Sequence, residues 1–138
     1  MKRIRERARI LIVDDEEIIC SLLAKRFVME NYSCIVANTS KEALYHFYKN
    51  QFSLVICDVK MPQMDGLELL RKMKAFDPNM MMIMMTGYPD VDIVIKAMRM
   101  GARDFLVKPF NLESMVSSVR TVLEEKGLQE NLALAINT

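Results

Sequence analysis

The sequence predicts an α/β protein built on a doubly wound, five-stranded parallel sheet with five flanking helices. Short apolar runs without polar alternation recur along the chain, as strands covered on both faces require. Each run is followed by a longer stretch whose apolar residues fall three and four apart, the spacing of one helix face. The length, 138 residues, suits one domain, since about two-thirds of the unfolded surface is buried at this size. Right-handed crossovers with one reversal point to the strand order 2-1-3-4-5, which the pattern alone leaves open.

The five runs are ILIV (10–13), CIVA (34–37), LVIC (54–57), MMMIMM (80–85) and DFLV (104–107). After the first, Ile18, Ile19, Leu22, Leu23 and Phe27 trace one helical face. Thr39 and Glu42 have capping-box spacing at the start of the second helix, whose buried face is Ala43, Leu44 and Phe47. Asp65 caps a third helix carrying Leu67, Leu70 and Met73, and Asp77-Pro78-Asn79 forms the turn that ends it. The fourth helix spans Asp90 to Met100, closed by Gly101. The fifth begins after Asn111 and buries Leu112, Met115, Val116, Val119 and Leu123, with Gly127 as its stop. These boundaries divide the chain into a basic arm (1–9), one domain (10–126) and a C-terminal tail or start of a linker (127–138), expected to fray although Leu128, Leu132 and Ile136 have helical spacing.

Composition narrows the function. Nineteen basic residues against 18 acidic ones provide no charge excess for nonspecific nucleic-acid binding, so no direct nucleic-acid contact is expected of this segment. The cluster Lys2, Arg3, Arg5, Arg7 and Arg9 reads as a solvated arm. The apolar run behind it, Ile10 to Val13, is too short for a signal sequence or a membrane span. Cys20, Cys34 and Cys57 are odd in number and lack CxxC spacing, which disfavours a disulfide framework or zinc site and suits the reducing cytoplasm. His46, the single histidine, has no partners for a metal site. Strand alternation sends Met80, Met81, Met82, Met84 and Met85 to opposite faces, as core residues and not as a soft-metal cluster.

In open α/β sheets ligands gather at the carboxyl ends of the strands. The first run ends at Asp14-Asp15, the third at Asp58, the fourth at Thr86 and the fifth at Lys108-Pro109. Parallel strands lie ~4.8 Å apart, so these groups can share one pocket. Clustered carboxylates repel unless a cation joins them, and an all-oxygen donor set suits Mg²⁺, with Mn²⁺ able to substitute. Asp58 is the candidate nucleophile for an aspartyl phosphate, with Lys108 and the Thr86 hydroxyl stabilising phosphoryl charge. Singly, an acidic pair caps a helix, an Asp opens a loop and a Lys is solvated; together, in the order DD, D, T, K at strand ends, they are far more specific.

The segments ILIVDDEE, LVICDVKMPQMDGLELL, MMTGYPD and DFLVKPF resemble the response-regulator receiver family of two-component signalling over about residues 8 to 126. The resemblance implies a flavodoxin-like strand order, with Asp14 and Asp15 as the acidic pair, Asp58 as phosphoacceptor, Thr86 as switch hydroxyl and Lys108 as the family lysine. It further implies the Lys60 backbone carbonyl as a metal ligand, Phe105 as the aromatic that turns inward when Thr86 moves, and a cis Lys108–Pro109 peptide. Such domains take the phosphoryl group from a sensor histidine kinase or phosphotransfer protein and also dephosphorylate themselves, without acting as multiple-turnover metabolic enzymes. Their readout surface, the fourth helix, fifth strand and fifth helix, falls here at about Val91 to Leu123 and would engage an output domain, an effector or a second copy. The stretch TGYPDVDIVIKAMRMGARDFLVKPFNLESM is nearest to receivers attached to transcriptional activators with an ATPase domain. Lys60 and Tyr88, each two residues past a key site, are expected to line the path to phosphorus and tune phosphoryl lifetime.

Two other functions share parts of this pattern. A Mg²⁺-dependent aspartyl-phosphate phosphatase or phosphotransferase combines similar groups, but its nucleophile lies in a DxD signature, whereas Val59 and Lys60 follow Asp58 and the chain leaves no room for a substrate cap. A constitutive docking or dimerisation module would not need the complete set of pocket residues.

Overall fold

Residues 8–63 and 65–136 are described by a computed structural model of the chain. β1 (Arg9–Val13), β2 (Ser33–Ala37), β3 (Leu54–Asp58), β4 (Met82–Thr86) and β5 (Asp104–Val107) form one parallel sheet in the order β2-β1-β3-β4-β5. Between and after them run α1 (Glu17–Met29), α2 (Ser40–Lys49), α3 (Gly66–Phe76), α4 (Val91–Arg99) and α5 (Leu112–Ile136). The order left open by the pattern is thus 2-1-3-4-5, with its reversal between β1 and β3.

Alternation along the strands splits the core in two. Leu11, Val13, Val55, Cys57, Met82 and Met84 face Ala43 and Phe47 of α2, Leu69, Leu70 and Met73 of α3 and Ala97 of α4. Ile10, Ile12, Leu54, Ile56, Ile83 and Met85 face Cys20, Leu23 and Phe27 of α1 and Met115, Val116 and Val119 of α5. The methionines divide the same way, with Met80, Met82 and Met84 in the first layer and Met81 and Met85 in the second, all buried.

The caps match their sequence signatures. Thr39 Oγ1 accepts from the Glu42 N–H at 3.1 Å, and Asp65 Oδ1 accepts from the Glu68 N–H at 2.8 Å. Asn111 Oδ1 accepts from the Glu113 N–H at 2.7 Å, and Gly101 closes α4 at φ +106°.

Several expectations are corrected. The buried face of α1 is Cys20, Leu23 and Phe27, while Ile18 and Leu22 are 75% and 48% exposed. At about 100° per residue both lie on the side of α1 turned away from Cys20, Leu23 and Phe27, so packing those three on the sheet leaves Ile18 and Leu22 outside. β1 starts at Arg9 and not Ile10, because the Ser53 N–H reaches the Arg9 carbonyl at 2.8 Å; Lys2, Arg3, Arg5 and Arg7 lie outside the described residues. β4 starts at Met82, since the Met80 N–H is still in the preceding turn, bonded to the Asp77 carbonyl at 3.1 Å. The regular part of α4 is Val91–Arg99, with Asp90 as its cap and Met100 past its end. α5 passes through Gly127 to Ile136, so Gly127 is not a stop and the expected fraying gives way to helix over 127–136. A glycine ends a helix by entering the left-handed region, and Gly127 stays inside the helix, with open space where its Cβ would be.

Candidate functional site

Register brings the strand ends together. Val13 lies opposite Cys57, so Asp14 continues β1 alongside Asp58; Asp58 pairs with Met85, the neighbour of Thr86; and Thr86 pairs with Val107, the residue before Lys108. The Lys108 N–H donates to the Thr86 carbonyl at 2.7 Å, tying the ends of β4 and β5, and the Lys108–Pro109 peptide is cis.

Asp14 is wholly buried. Its Oδ1 accepts from the Glu16 N–H at 2.9 Å and its Oδ2 from Lys108 Nζ at 2.7 Å. Asn38 Nδ2 and Cys20 Sγ both donate to its carbonyl, at 3.0 and 3.4 Å, anchoring the backbone beneath it. Lys108 Nζ also donates to Glu16 Oε1 at 3.0 Å and stands 3.5 Å from Asp58 Oδ2. Asp58, 6% exposed, receives a backbone hydrogen bond from Lys60.

Burial pushes the Asp58 carboxyl up to about 6, assisted by the negative charges of Asp14 and Asp15 and opposed by Lys108 and the Lys60 N–H. Burial raises Asp14 as well, against the hydrogen bond from Lys108. Burial alone would lower Lys108, but its hydrogen bonds to Asp14 and Glu16 outweigh that and hold it above the usual lysine range. The pocket therefore concentrates carboxylate charge that a single ammonium balances incompletely.

Carboxylate oxygens of Asp14, Glu16 and Asp58 lie within 4.8 Å of one another. This is a hard, all-oxygen donor set with unneutralised charge, which fits a divalent cation such as Mg²⁺. Asp15 is exposed beside this trio, and its charge reaches Asp58. Glu16 escaped the sequence reading. The signal available was its place directly before α1, where Ser, Asp or Asn would cap the helix; Glu16 makes no side-chain cap there and its carboxylate turns back to Lys108.

Thr86 is buried at the end of β4, its hydroxyl oxygen accepting from the Tyr88 N–H at 3.0 Å. Phe105 is partly buried against the α2–α4 side of the core. Lys60 and Tyr88 are both exposed and meet each other, with Lys60 Nζ 5.3 Å from the Tyr88 ring centre. Gly66 approaches the pocket from behind: an added Cβ would sit 2.3 Å from the Asp58 carbonyl oxygen and 3.0 Å from Val59 Cα. Close backbone packing at the first position of α3 therefore requires a residue without a side chain. Cys57, buried under the pocket, has its thiol pushed well up by burial. His46 lies on α2, edge-on to Tyr45 at 5.4 Å between ring centres.

On α4, Val91, Ile95 and Met98 are exposed on one face, and Tyr88 and Val107 are exposed beside it in sequence and sheet order. Among the described residues no helix is long and apolar enough to cross a membrane.

The family model for the response regulator receiver domain matches residues 10–120. Sporulation initiation phosphotransferase F of Bacillus subtilis is 36% identical over 119 residues, covering 86% of this chain and 96% of that protein. Regulatory protein AtoC of Escherichia coli is 32% identical over 90% of this chain, which spans 27% of AtoC. A receiver domain protein from Methanospirillum hungatei superposes with a TM-score of 0.87 at 31% identity, covering 90% of this chain and 99% of that one.

Proposed function

The chain belongs to the response regulator receiver domain family, and we propose that it accepts a phosphoryl group on Asp58 and converts that event into a change of its α4–β5–α5 surface. The observation that carries this reading is the meeting of Asp14, Asp58 and Lys108 from three separate strand ends in one pocket.

With its carboxyl near 6, Asp58 is ionised at neutral pH while poorly solvated, the condition of a reactive oxygen nucleophile. One Asp58 oxygen attacks phosphorus while the bond from phosphorus to the donor's leaving atom breaks. That atom is the imidazole nitrogen of a phosphohistidine in a sensor kinase or phosphotransfer protein, or the carboxyl oxygen of a small acyl phosphate. The product is an acyl phosphate on Asp58. Asp14 and Asp58 of the gathered carboxylates, with the adjacent Asp15 and the Lys60 carbonyl, would hold Mg²⁺, or Mn²⁺ in its place, while Glu16 stays with Lys108; bound, the cation supplies charge neutralisation and a coordination position for a phosphoryl oxygen. Lys108 pairs with another phosphoryl oxygen, and the Thr86 hydroxyl turns to a third, leaving space that Phe105 fills.

The exposed apolar face Val91, Ile95 and Met98 of α4 supports this surface as the one that meets an output domain, an effector or a second copy. The chain spans about a quarter of AtoC and of transcriptional regulatory protein ZraR of Escherichia coli, 33% identical to it, and from ZraR's name we carry over a transcriptional output, in a cytoplasmic protein. Incubation with Mg²⁺ and acetyl phosphate should add the mass of one phosphoryl group, and Asp58→Asn should abolish the gain. An equal gain in Asp58→Asn would overturn the assignment.

A further inference from the structure

The Lys108 ammonium is not centred on Asp58. It donates to Asp14 at 2.7 Å and Glu16 at 3.0 Å, and stands at ion-pair distance, 3.5 Å, from Asp58. Two of its three hydrogens are therefore committed away from the nucleophile. The two holders differ in what release would cost them. Asp14 is wholly buried, and its second oxygen is fixed by the Glu16 N–H, so it cannot trade the ammonium for water. The Glu16 side chain is 60% exposed and spends nothing on capping α1, so it can return to solvent with little loss.

Resting on the phosphoacceptor reading above, we propose that Glu16 is a positioning residue: it holds the Lys108 ammonium on the Asp14 side of the pocket while Asp58 is bare and releases it when a phosphoryl group arrives. The ammonium then keeps Asp14 and gains a phosphoryl oxygen, while Glu16 turns outward, which also removes a negative charge from the neighbourhood of an incoming anion. The resting contact must be broken for every phosphorylation, so Glu16 biases the pocket toward the unphosphorylated state.

The test compares wild type with Glu16→Gln, which leaves the Glu16 N–H on Asp14 in place. The side-chain ammonium resonance of Lys108 is followed by NMR in ¹⁵N-labelled protein, identified by its loss in Lys108→Arg, without and with beryllofluoride at saturating Mg²⁺. The two proteins should differ at Lys108 in the resting state and coincide once beryllofluoride is bound. Beryllofluoride should bind Glu16→Gln about two- to fivefold more tightly, the range of a partly exposed ion pair that no longer has to be broken. Identical resting resonances, a difference that persists in the beryllofluoride state, or unchanged or weaker binding by the variant would each overturn the proposal. Failure of the wild type itself to bind beryllofluoride would instead overturn the phosphoacceptor reading, and the release step with it.

Discussion

Replacing Asp58 with asparagine should stabilise the protein at neutral pH. In the folded chain burial and the charges of Asp14 and Asp15 raise the Asp58 carboxyl to about 6, against 3.8 for the free group. Between pH about 4 and about 6 the native state thus binds more protons than the unfolded state, and stability falls as pH rises through that window and levels off above it. The shift of about two units corresponds to ~3 kcal/mol at pH 7.5, at 1.36 kcal/mol per unit. Asparagine removes this cost without stranding Lys108, which retains Asp14 at 2.7 Å and Glu16 at 3.0 Å. For a domain of this size ~3 kcal/mol amounts to roughly 10 °C in Tm. Thermal melts of wild type and Asp58→Asn, taken in chelator from pH 4 to pH 8, should converge near pH 4 and separate progressively to about pH 6.5. A variant that is less stable than wild type at pH 7.5, or a stabilisation of equal size at pH 4, would refute the reasoning, because either would mean that Asp58 is not an ionised carboxylate held at a cost.

Gly66→Ala should destabilise the fold by about 2–4 kcal/mol in urea melts, since its Cβ would overlap the Asp58 carbonyl oxygen at 2.3 Å and press on the Val59 backbone; an unchanged midpoint would show that the loop relaxes freely. Lys108→Ala should slow phosphorylation by acetyl phosphate about 10²- to 10³-fold and lower stability at pH 7.5, because buried Asp14 loses its shortest partner. That loss should be largely restored on acidification, as the carboxyls take up protons; a pH-independent loss would point to packing instead. If Lys60 and Tyr88 line the path to phosphorus, Lys60→Ala and Tyr88→Ala should each speed loss of the phosphoryl group by about two- to fivefold, and the double variant should be no faster than either, because the two side chains meet as one cation–π pair. Additive effects, or an unchanged dephosphorylation rate in both single variants, would remove that idea.

Much of the fold and the pocket could be read along the chain because the relevant forces act locally or at a repeating period. Uninterrupted apolar runs mark strands buried on both faces whatever the rest of the chain does, and Thr39, Asp65 and Asn111 cap their helices with the bonds that their spacing implies. The rule that ligands gather at strand ends points to Asp14, Asp58, Thr86 and Lys108 from the sequence alone. What spacing could not supply was the outcome of competitions through space. Ile18 and Leu22 lost the buried face of α1 to Cys20 because α1 is apolar on more than one side, and the direction of the sheet chooses which side packs. Gly127 stayed helical because a glycine permits a stop without compelling one.

The sequence by itself determined the layered α/β architecture and singled out Asp58, Thr86 and Lys108 as the candidate nucleophile, hydroxyl and ammonium, since each stands at a recognisable point of the repeat. Only the tertiary structure decided that Glu16, and not Asp15, shares Lys108 with Asp14, and that Gly66 must lack a side chain to clear the Asp58 carbonyl. The physical reason is that these two facts depend on distances through space that spacing along the chain does not set. Electrostatic attraction and atomic overlap change over tenths of an ångström, a scale on which neighbouring residues of identical charge are different choices.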